Sequence, residues 1–189
     1  MSRENSTLAG DGFAGFLARW SSRGWLLTLV LVFGTVLVYQ PVWQAGFLWD
    51  DDIHITKNRM LFEPDGLRQI WFSLDSPEYY PLVFTSFRLE KALWGLNPAG
   101  FHWVNLLLHA AGAILVWRVL RRLKVPGAWL AAAVFALHPV NVESVAWISE
   151  RKNTLAMFFY LLSVLFYLRF DEPSKVQSPK SKVGRENPT

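Results

Sequence analysis

Three consecutive carboxylates, Asp50, Asp51 and Asp52, directly follow the first long apolar run of the chain. Carboxylates crowded beside an apolar phase repel each other and lose solvation. Asp50 and Asp51 could accept a proton from an acceptor hydroxyl, or hold a divalent cation such as Mg²⁺ or Mn²⁺ against a phosphate through hard oxygen ligands. The spacing alone equally allows a solvated acidic turn that helps to fix the orientation of the loop.

A second polar group lies before the last apolar run. It brings His138, Glu143, Arg151 and Lys152 together within fifteen residues. Arg151 could bind a phosphate through its planar fork, and Lys152 could bind it as a point charge. The alternative is that His138-Pro139 ends a helix and that the Arg-Lys pair anchors the next helix at an interface.

A third group lies inside an apolar run. His102, Asn105 and His109 follow at i, i+3 and i+7, so they share one face of a helix. Polar side chains within an apolar helix usually face the interior of a bundle or a wet cavity. This face could be a polar path for transport, or it could make hydrogen bonds between helices without any chemistry.

The composition indicates which elements position these groups. Hydrophobic residues make up 52% of the 189 residues and charged residues only 18%, and many of the ten tryptophans stand at the ends of apolar runs, as at a membrane interface. The net charge of +4 does not indicate a nucleic-acid partner, because the basic residues gather on particular connections instead of forming a stripe. The absence of cysteine excludes disulfides and thiolate metal sites.

The apolar runs predict an all-α integral membrane fold with about four transmembrane helices. The expected divisions are a cytoplasmic tail at 1–24, spans at about 25–43, 101–120, 128–148 and 153–170, an outer loop at 44–100, and a disordered cytoplasmic tail at 171–189. The outer loop should contain one or two short helices, including a short amphipathic helix at 66–73. The apolar-patterned piece at 82–94 could lie in the interface or dip into the membrane. Pro139 should kink or shorten the third span.

The distribution of Lys and Arg orients these spans. With the amino terminus inside, twelve Lys and Arg lie on the cytoplasmic side and seven outside, as the positive-inside rule requires. Both termini are then cytoplasmic, and the 44–100 loop and the 139–152 connection share the outer face. We therefore expect the chemistry on that face.

Taken in order, several segments resemble a known family. They are Phe47-Leu48-Trp49-Asp50-Asp51 with Asn58, then Asn105-Leu106-Leu107-Leu108-His109, then the stretch from Phe135 to Trp147, and finally Glu150-Arg151-Lys152-Asn153-Thr154-Leu155. Residues 25–170 resemble the amino-terminal membrane region of bacterial tetratricopeptide-repeat membrane proteins, which are related to the transmembrane O-mannosyltransferases of animals. Both groups belong to the GT-C glycosyltransferase superfamily. The most specific part is His-Pro-Val-x-Val-Glu-Ser-Val-Ala-Trp, which begins at His138.

The resemblance implies a polyprenyl-phosphate sugar as donor, a protein or glycan hydroxyl as acceptor, and an extracytoplasmic active site in the bacterial inner membrane. Asp50 or Asp51 would act as a base or as a ligand in acceptor and metal binding. His138, Glu143 and Arg151, with Lys152 beside it, would contact the donor phosphate or line the cavity. Asp52 stays unassigned.

The chain departs from the family in its length. Members continue with many more membrane helices and an outer repeat domain, whereas this sequence ends after four predicted helices, with no 34-residue repeat in its tail. We therefore expect a truncated gene product, a gene fragment, or half of a split protein whose second subunit supplies the missing helices. The rival hypotheses are a catalytically inactive membrane scaffold or remnant and a small transport component.

Overall fold

The computed structural model of the chain describes residues 24–73 and 78–170, and these residues form helices and turns without a β-strand. The α-helices, numbered in chain order, are α1 Gly24–Val38, α2 Gly66–Phe72, α3 Pro81–Trp94, α4 Pro98–Arg122, α5 Ala128–Leu137, α6 Val142–Ala146 and α7 Arg151–Phe170. Short 3₁₀ or π turns occupy Gln40–Gln44, Asp52–Thr56, Arg59–Leu61, Pro139–Asn141 and Ile148–Glu150. The all-α class is thus confirmed for these residues, and the tails predicted at 1–24 and 171–189 lie outside them except for Gly24.

Two described helical segments are long and apolar enough to cross a membrane, namely α4 and the continuous segment Ile148–Phe170 that contains α7. A third would result if α5 and the following Pro139–Ala146 form one span, which is bent by 52°. The described part of α1 has 15 residues, or about 22 Å at roughly 1.5 Å per residue, against a hydrocarbon core of about 30 Å. The expected four crossings are therefore not confirmed, and two or three are supported.

Prolines explain where these helices end. His138 has extended backbone (ψ 131°), as expected for a residue before proline, so α5 ends at Leu137 and the chain bends. Similarly, Pro41 lacks an N–H and would clash with a carbonyl of the preceding turn if α1 continued. The α-helix therefore ends before Pro41, and a 3₁₀ turn follows at Gln40–Gln44.

The helix α4 lies at the centre of the bundle and packs against α1, α5 and α7. Small residues on its contact with α5, including Ala113, Ala132 and Ala136, are completely buried. Small side chains let two helices approach closely, which is the usual packing within a membrane, where the hydrophobic effect does not drive helices together. Trp129 donates from its indole N–H to the Leu27 carbonyl at 3.1 Å and so ties α5 to α1.

Residues 45–73 and 78–97, called here the loop layer, fold over one end of the bundle. At this end Trp43 stacks on Trp103 with ring centroids 4.6 Å apart. Arg88 on α3 donates to the carbonyls of Met60 at 2.6 Å and Glu63 at 2.8 Å. A Cβ at Gly66 would collide with the Met60 carbonyl, so only glycine fits there. The loop layer is therefore a packed structure that can hold side chains in fixed positions.

Candidate functional site

Asp51 joins the loop layer to the turn before α7. Its Oδ2 accepts the Leu48 N–H at 2.9 Å, its Oδ1 accepts the Ser149 N–H at 2.7 Å, and its side chain is completely buried. The turn begins at Trp49, whose φ of 45° is in the left-handed region that bulky residues rarely adopt. Asp51 Oδ1 thus joins the 44–100 loop to the 139–152 connection, and Oδ2 is used within the loop.

Arg151, the first residue of α7, is completely buried where α3, α4 and α7 meet. Its Nε donates to Asn105 Oδ1 at 2.7 Å, and its Nη2 donates to the Phe101 carbonyl at 2.8 Å. Its Nη1 donates to Ser86 Oγ at 3.0 Å and pairs with the Glu90 carboxylate. Arg151 therefore links three helices, and every nitrogen of its guanidinium already has a protein acceptor.

Ser86 and Glu90 were not predicted as site residues. They lie four residues apart on α3, and the sequence signal that could have revealed them is an acid on an otherwise apolar helix face. Burial raises the pKa of Glu90 to about 7, although the adjacent positive charge of Arg151 acts in the opposite direction. The guanidinium also lies over the ring of Phe87, 4.6 Å from its centroid.

The predicted intramembrane polar face is buried against neighbouring segments. Asn105 donates from Nδ2 to the Trp147 carbonyl at 3.0 Å, and His109 Nε2 is 3.0 Å from the Ala136 carbonyl. His102 is completely buried, and neither of its ring nitrogens makes a hydrogen bond with normal geometry. Two of the three residues thus bond to other segments, which favours the structural alternative for this face.

A small cavity of about 60 Å³ lies beside His109. Asn141, Ser144 and Thr154 are among the polar residues that line it. A cavity with several polar partners and this volume can hold one or two ordered waters.

Four charged side chains, called here the charged ring, lie around His54 near the contact between Asp51 and Ser149, called here the Asp51 joint. They are Asp50, Glu78, Glu150 and Lys152. Asp50 is exposed, whereas His54 is buried and its Nε2 is 3.9 Å from Glu78 Oε2. Lys152 Nζ is 4.0 Å from the same Glu78 oxygen and 3.0 Å from Glu150 Oε1. Burial lowers the pKa of His54, although the nearby Glu78 carboxylate acts in the opposite direction. His54 escaped the sequence analysis because nothing in its local pattern indicates burial.

An open groove of about 520 Å³ begins at this charged ring. Its walls are largely apolar. They come from Tyr80, directly before α3, from Leu82 in the first turn of α3, and from α7, including Leu155 and Phe159. Lys152 lies at the polar end of the groove, and its ammonium is 5.5 Å from the centroid of the Tyr80 ring. An apolar groove with a cation at one end has the chemistry to bind an anionic amphiphile.

The other residues of the acidic and histidine motifs have local contacts. Asp52 pairs with Lys57 at 2.9 Å, and this hydrogen bond lowers its pKa. His138 accepts the Val140 N–H on Nδ1 at 3.2 Å and so caps the turn after α5. Glu143 is exposed in the first turn of α6. Within the described residues, no side-chain hydrogen bond or ion pair links His138 or Glu143 to the charged ring.

The divalent cation stays a prediction for the described residues. Among them, no group of three or more His, Asp or Glu side chains could hold a metal ion. Both oxygens of Asp51 accept backbone N–H groups, which leaves Asp50 as the free carboxylate of the predicted pair.

These features define a class: a helical membrane-type bundle with a polar site held at one end and an apolar groove leading from it. The chain is 36% identical over 144 residues to "Protein O-mannosyl-transferase TMTC2" of Mus musculus, a match that covers 70% of the chain and 17% of that protein. It is 44% identical over 147 residues to "Protein O-mannosyl-transferase Tmtc2" of Drosophila melanogaster, covering 70% of the chain and 16% of the relative. It is 33% identical over 174 residues to "Protein O-mannosyl-transferase TMTC4" of Homo sapiens, covering 77% and 24%.

The chain is therefore homologous, over about 70% of its length, to the TMTC protein O-mannosyl-transferases. It spans about a sixth to a quarter of the length of these curated relatives. No protein-family model and no solved structure matches it. The predicted relation to animal O-mannosyltransferases is supported, whereas the bacterial source and the tetratricopeptide-repeat relation stay predictions.

Proposed function

We propose that the chain forms part of a membrane glycosyltransferase that moves a sugar, mannose by analogy with its relatives, from a polyprenyl-phosphate donor to a hydroxyl group of a protein. The observation that carries the proposal is the Asp51–Ser149 joint. It fixes the turn bearing Asp50 to the turn that leads into Lys152, at the mouth of the apolar groove. The relatives are named as protein O-mannosyl-transferases, which supports sugar transfer to a protein.

The donor would bind in the groove between α3 and α7. Its polyprenyl chain would lie along Leu82, Leu155 and Phe159, and its phosphate would approach Lys152. Lys152 has three N–H donors. Glu150 takes one at 3.0 Å, and Glu78 at 4.0 Å is beyond hydrogen-bond distance, so donors remain for a phosphate.

Asp50 would act as the general base. In this scheme the hydroxyl oxygen attacks the anomeric carbon, its proton passes to the Asp50 carboxylate, and the bond from the anomeric carbon to the phosphate oxygen breaks. The leaving polyprenyl phosphate gains negative charge, which Lys152 stabilises more strongly in the transition state than in the ground state. The indole of Trp49, 83% exposed beside Asp50, offers an apolar face for a sugar ring.

Asp51 and Arg151 would be positioning residues, because their polar atoms are committed to the buried contacts. His138 and Glu143 stay candidates for the donor cavity, and a polyprenyl-phosphate sugar, a membrane lipid phase and a protein or glycan acceptor are the partners expected. The charged ring would face the extracytoplasmic side of a bacterial inner membrane, with both termini cytoplasmic, as the Lys and Arg distribution suggests.

The proposal is tested by measuring retention of radiolabelled polyprenyl-phosphate mannose by the purified chain in nanodiscs. Saturable binding should be displaced by polyprenyl phosphate and not by uncharged polyprenol. Lys152→Gln should weaken it about tenfold, as expected for one charge-assisted hydrogen bond. The matched control is Lys57→Gln, whose lysine is 71% exposed and pairs with Asp52, and it should leave binding unchanged.

The same samples separate binding from catalysis. Asp50→Asn should keep donor binding and abolish transfer to a serine- or threonine-containing peptide. If the folded chain shows no saturable donor binding, or if Lys57→Gln weakens binding as much as Lys152→Gln, the proposal is wrong. The catalytically silent scaffold would then be the better function, and the commitment of Asp51 and Arg151 to structural bonds already favours it over the transport hypothesis.

A further inference from the structure

A second groove lies at the opposite end of the bundle from the Asp51 joint. It has a volume of about 560 Å³ and runs between the start of α1 and the end of α4. Trp25 and Leu29 line it from α1, and Trp117, Arg118 and Arg121 line it from α4. Its volume is within the range of about 300–1,000 Å³ that is usual for ligand sites.

The groove is strongly cationic. Arg118 and Arg121 are exposed, and neither is among the ion pairs that the described residues form. Arg121 lies over the Trp117 ring, 5.5 Å from its centroid. The described residues at 24–49, 91–142 and 151–170 contain no acid. Along α4, Arg118 is thirteen residues from Asn105, about 20 Å at roughly 1.5 Å per residue, which separates it from the acids of the loop layer.

The position of the groove indicates its ligand. Trp25 is 62% exposed, and it stands at the end of an apolar helix, where tryptophan rings lie at the level of lipid headgroups. Arginine forks bind phosphate oxygens in a bidentate manner. Basic pockets between membrane helices are a recognised site for anionic headgroups. Leu29, exposed beside the groove, continues the surface towards the hydrocarbon region.

We propose that Arg118 and Arg121 bind the phosphate of an anionic membrane phospholipid, whose acyl chains run along Trp25 and Leu29. The site is independent of the proposed transferase reaction, because it lies at the other end of the bundle. Its ligand is a structural or regulatory lipid and not the sugar donor.

The full chain in detergent micelles provides the test, with native mass spectrometry counting bound lipid during titration with phosphatidylglycerol or zwitterionic phosphatidylcholine. Phosphatidylglycerol should bind saturably and phosphatidylcholine should not. Arg118→Gln/Arg121→Gln should weaken binding about twenty-five-fold, from roughly fivefold for each basic residue near an anionic surface. Arg118→Lys/Arg121→Lys should lose less, because the charge remains and only the fork is removed.

Arg169→Gln is the matched control. Arg169 is exposed in the last turn of α7, at the same end of the bundle, and lies over the Phe166 ring. This variant should bind phosphatidylglycerol like the unaltered chain, and inorganic phosphate should not compete. Equal loss in Arg169→Gln, undiminished binding in the double glutamine variant with unaltered circular dichroism, displacement by free phosphate, or no binding by the unaltered chain would each overturn the proposal.

Discussion

Replacing Arg151 with methionine should destabilise the fold severely. Methionine keeps much of the side-chain length but removes four donor contacts, to Asn105, Phe101, Ser86 and Glu90. Breaking a buried ion pair by removing one partner typically costs about 3–5 kcal/mol, because the other charge is left buried and unpaired. Since whole domains are stable by only about 5–15 kcal/mol, we expect a large fraction of the stability to be lost.

The assay is denaturant unfolding of the chain in detergent micelles, followed by circular dichroism, with Lys152→Met as the matched control. Lys152 is the next residue and carries the same charge, but its side chain is 29% exposed and its carboxylate contacts lie at the surface. Partly exposed ion pairs contribute about 0–1 kcal/mol, so this variant should unfold almost like the unaltered chain. Replacing Glu90 by leucine in the Arg151→Met background should recover part of the loss, because no buried charge then remains.

The loss should also depend on pH in a defined direction. Burial already raises the pKa of Glu90 to about 7, and removing Arg151 leaves that burial unopposed. A carboxyl with a raised folded-state pKa contributes most stability when protonated and loses it as pH rises through that pKa. The deficit of Arg151→Met should therefore be larger at pH 8 than at pH 5. If Arg151→Met unfolds within about 1 kcal/mol of the unaltered chain while donor binding disappears, Arg151 is a ligand-binding residue and the structural reasoning is refuted.

Two further predictions use the same unfolding assay. Asp51→Asn should lower the free energy of unfolding by about 1–3 kcal/mol, because an amide nitrogen cannot accept the N–H of Leu48 or Ser149. Asp50→Asn, at an exposed position, should lower it by less than about 0.5 kcal/mol. Equal effects of the two variants would argue against the Asp51 joint. For His54, burial lowers the pKa, so its contribution to stability is present above the unfolded value of about 6.5 and is lost as pH falls through the folded one. The chain should thus lose more stability than His54→Gln between pH 7 and pH 5, and parallel profiles would contradict this.

The sequence predicted the helices better than it predicted the roles of the polar residues. In an apolar phase the backbone N–H and C=O groups of an apolar run must form hydrogen bonds within the protein, and a helix forms them within one segment. This is why α4, α5 and α7 lie where the hydropathy places them. The proline after His138 likewise predicted the bend between α5 and the following segment. The end of α1 was harder to predict, because Trp25 to Trp43 is one uncharged run. The proline within this run determines where the α-helix ends.

The functions of Asp51 and Arg151 were not readable in the same way. Asp51 bonds to a backbone N–H 98 residues later, and Arg151 bonds to Asn105, 46 residues earlier, and to Glu90, 61 residues earlier. A motif records residue types and spacing, but burial depends on which distant segment covers a side chain. A surface carboxylate and a buried one therefore look identical within Asp50-Asp51, although Asp50 is exposed and Asp51 is completely buried.

This difference explains how a motif of adjacent charges can serve two purposes at once. In Asp50-Asp51 and in Arg151-Lys152, one residue of each pair is completely buried in the joint between segments and its neighbour faces the surface. The buried members hold the loop layer against α7, so the separation of the outward members is set by contacts with little freedom to relax. Disrupting either buried residue should therefore displace Asp50 relative to Lys152, and under the proposed reaction it should reduce transfer although neither residue contacts the substrate. Misplacement by about 1 Å can cost roughly a hundredfold in rate.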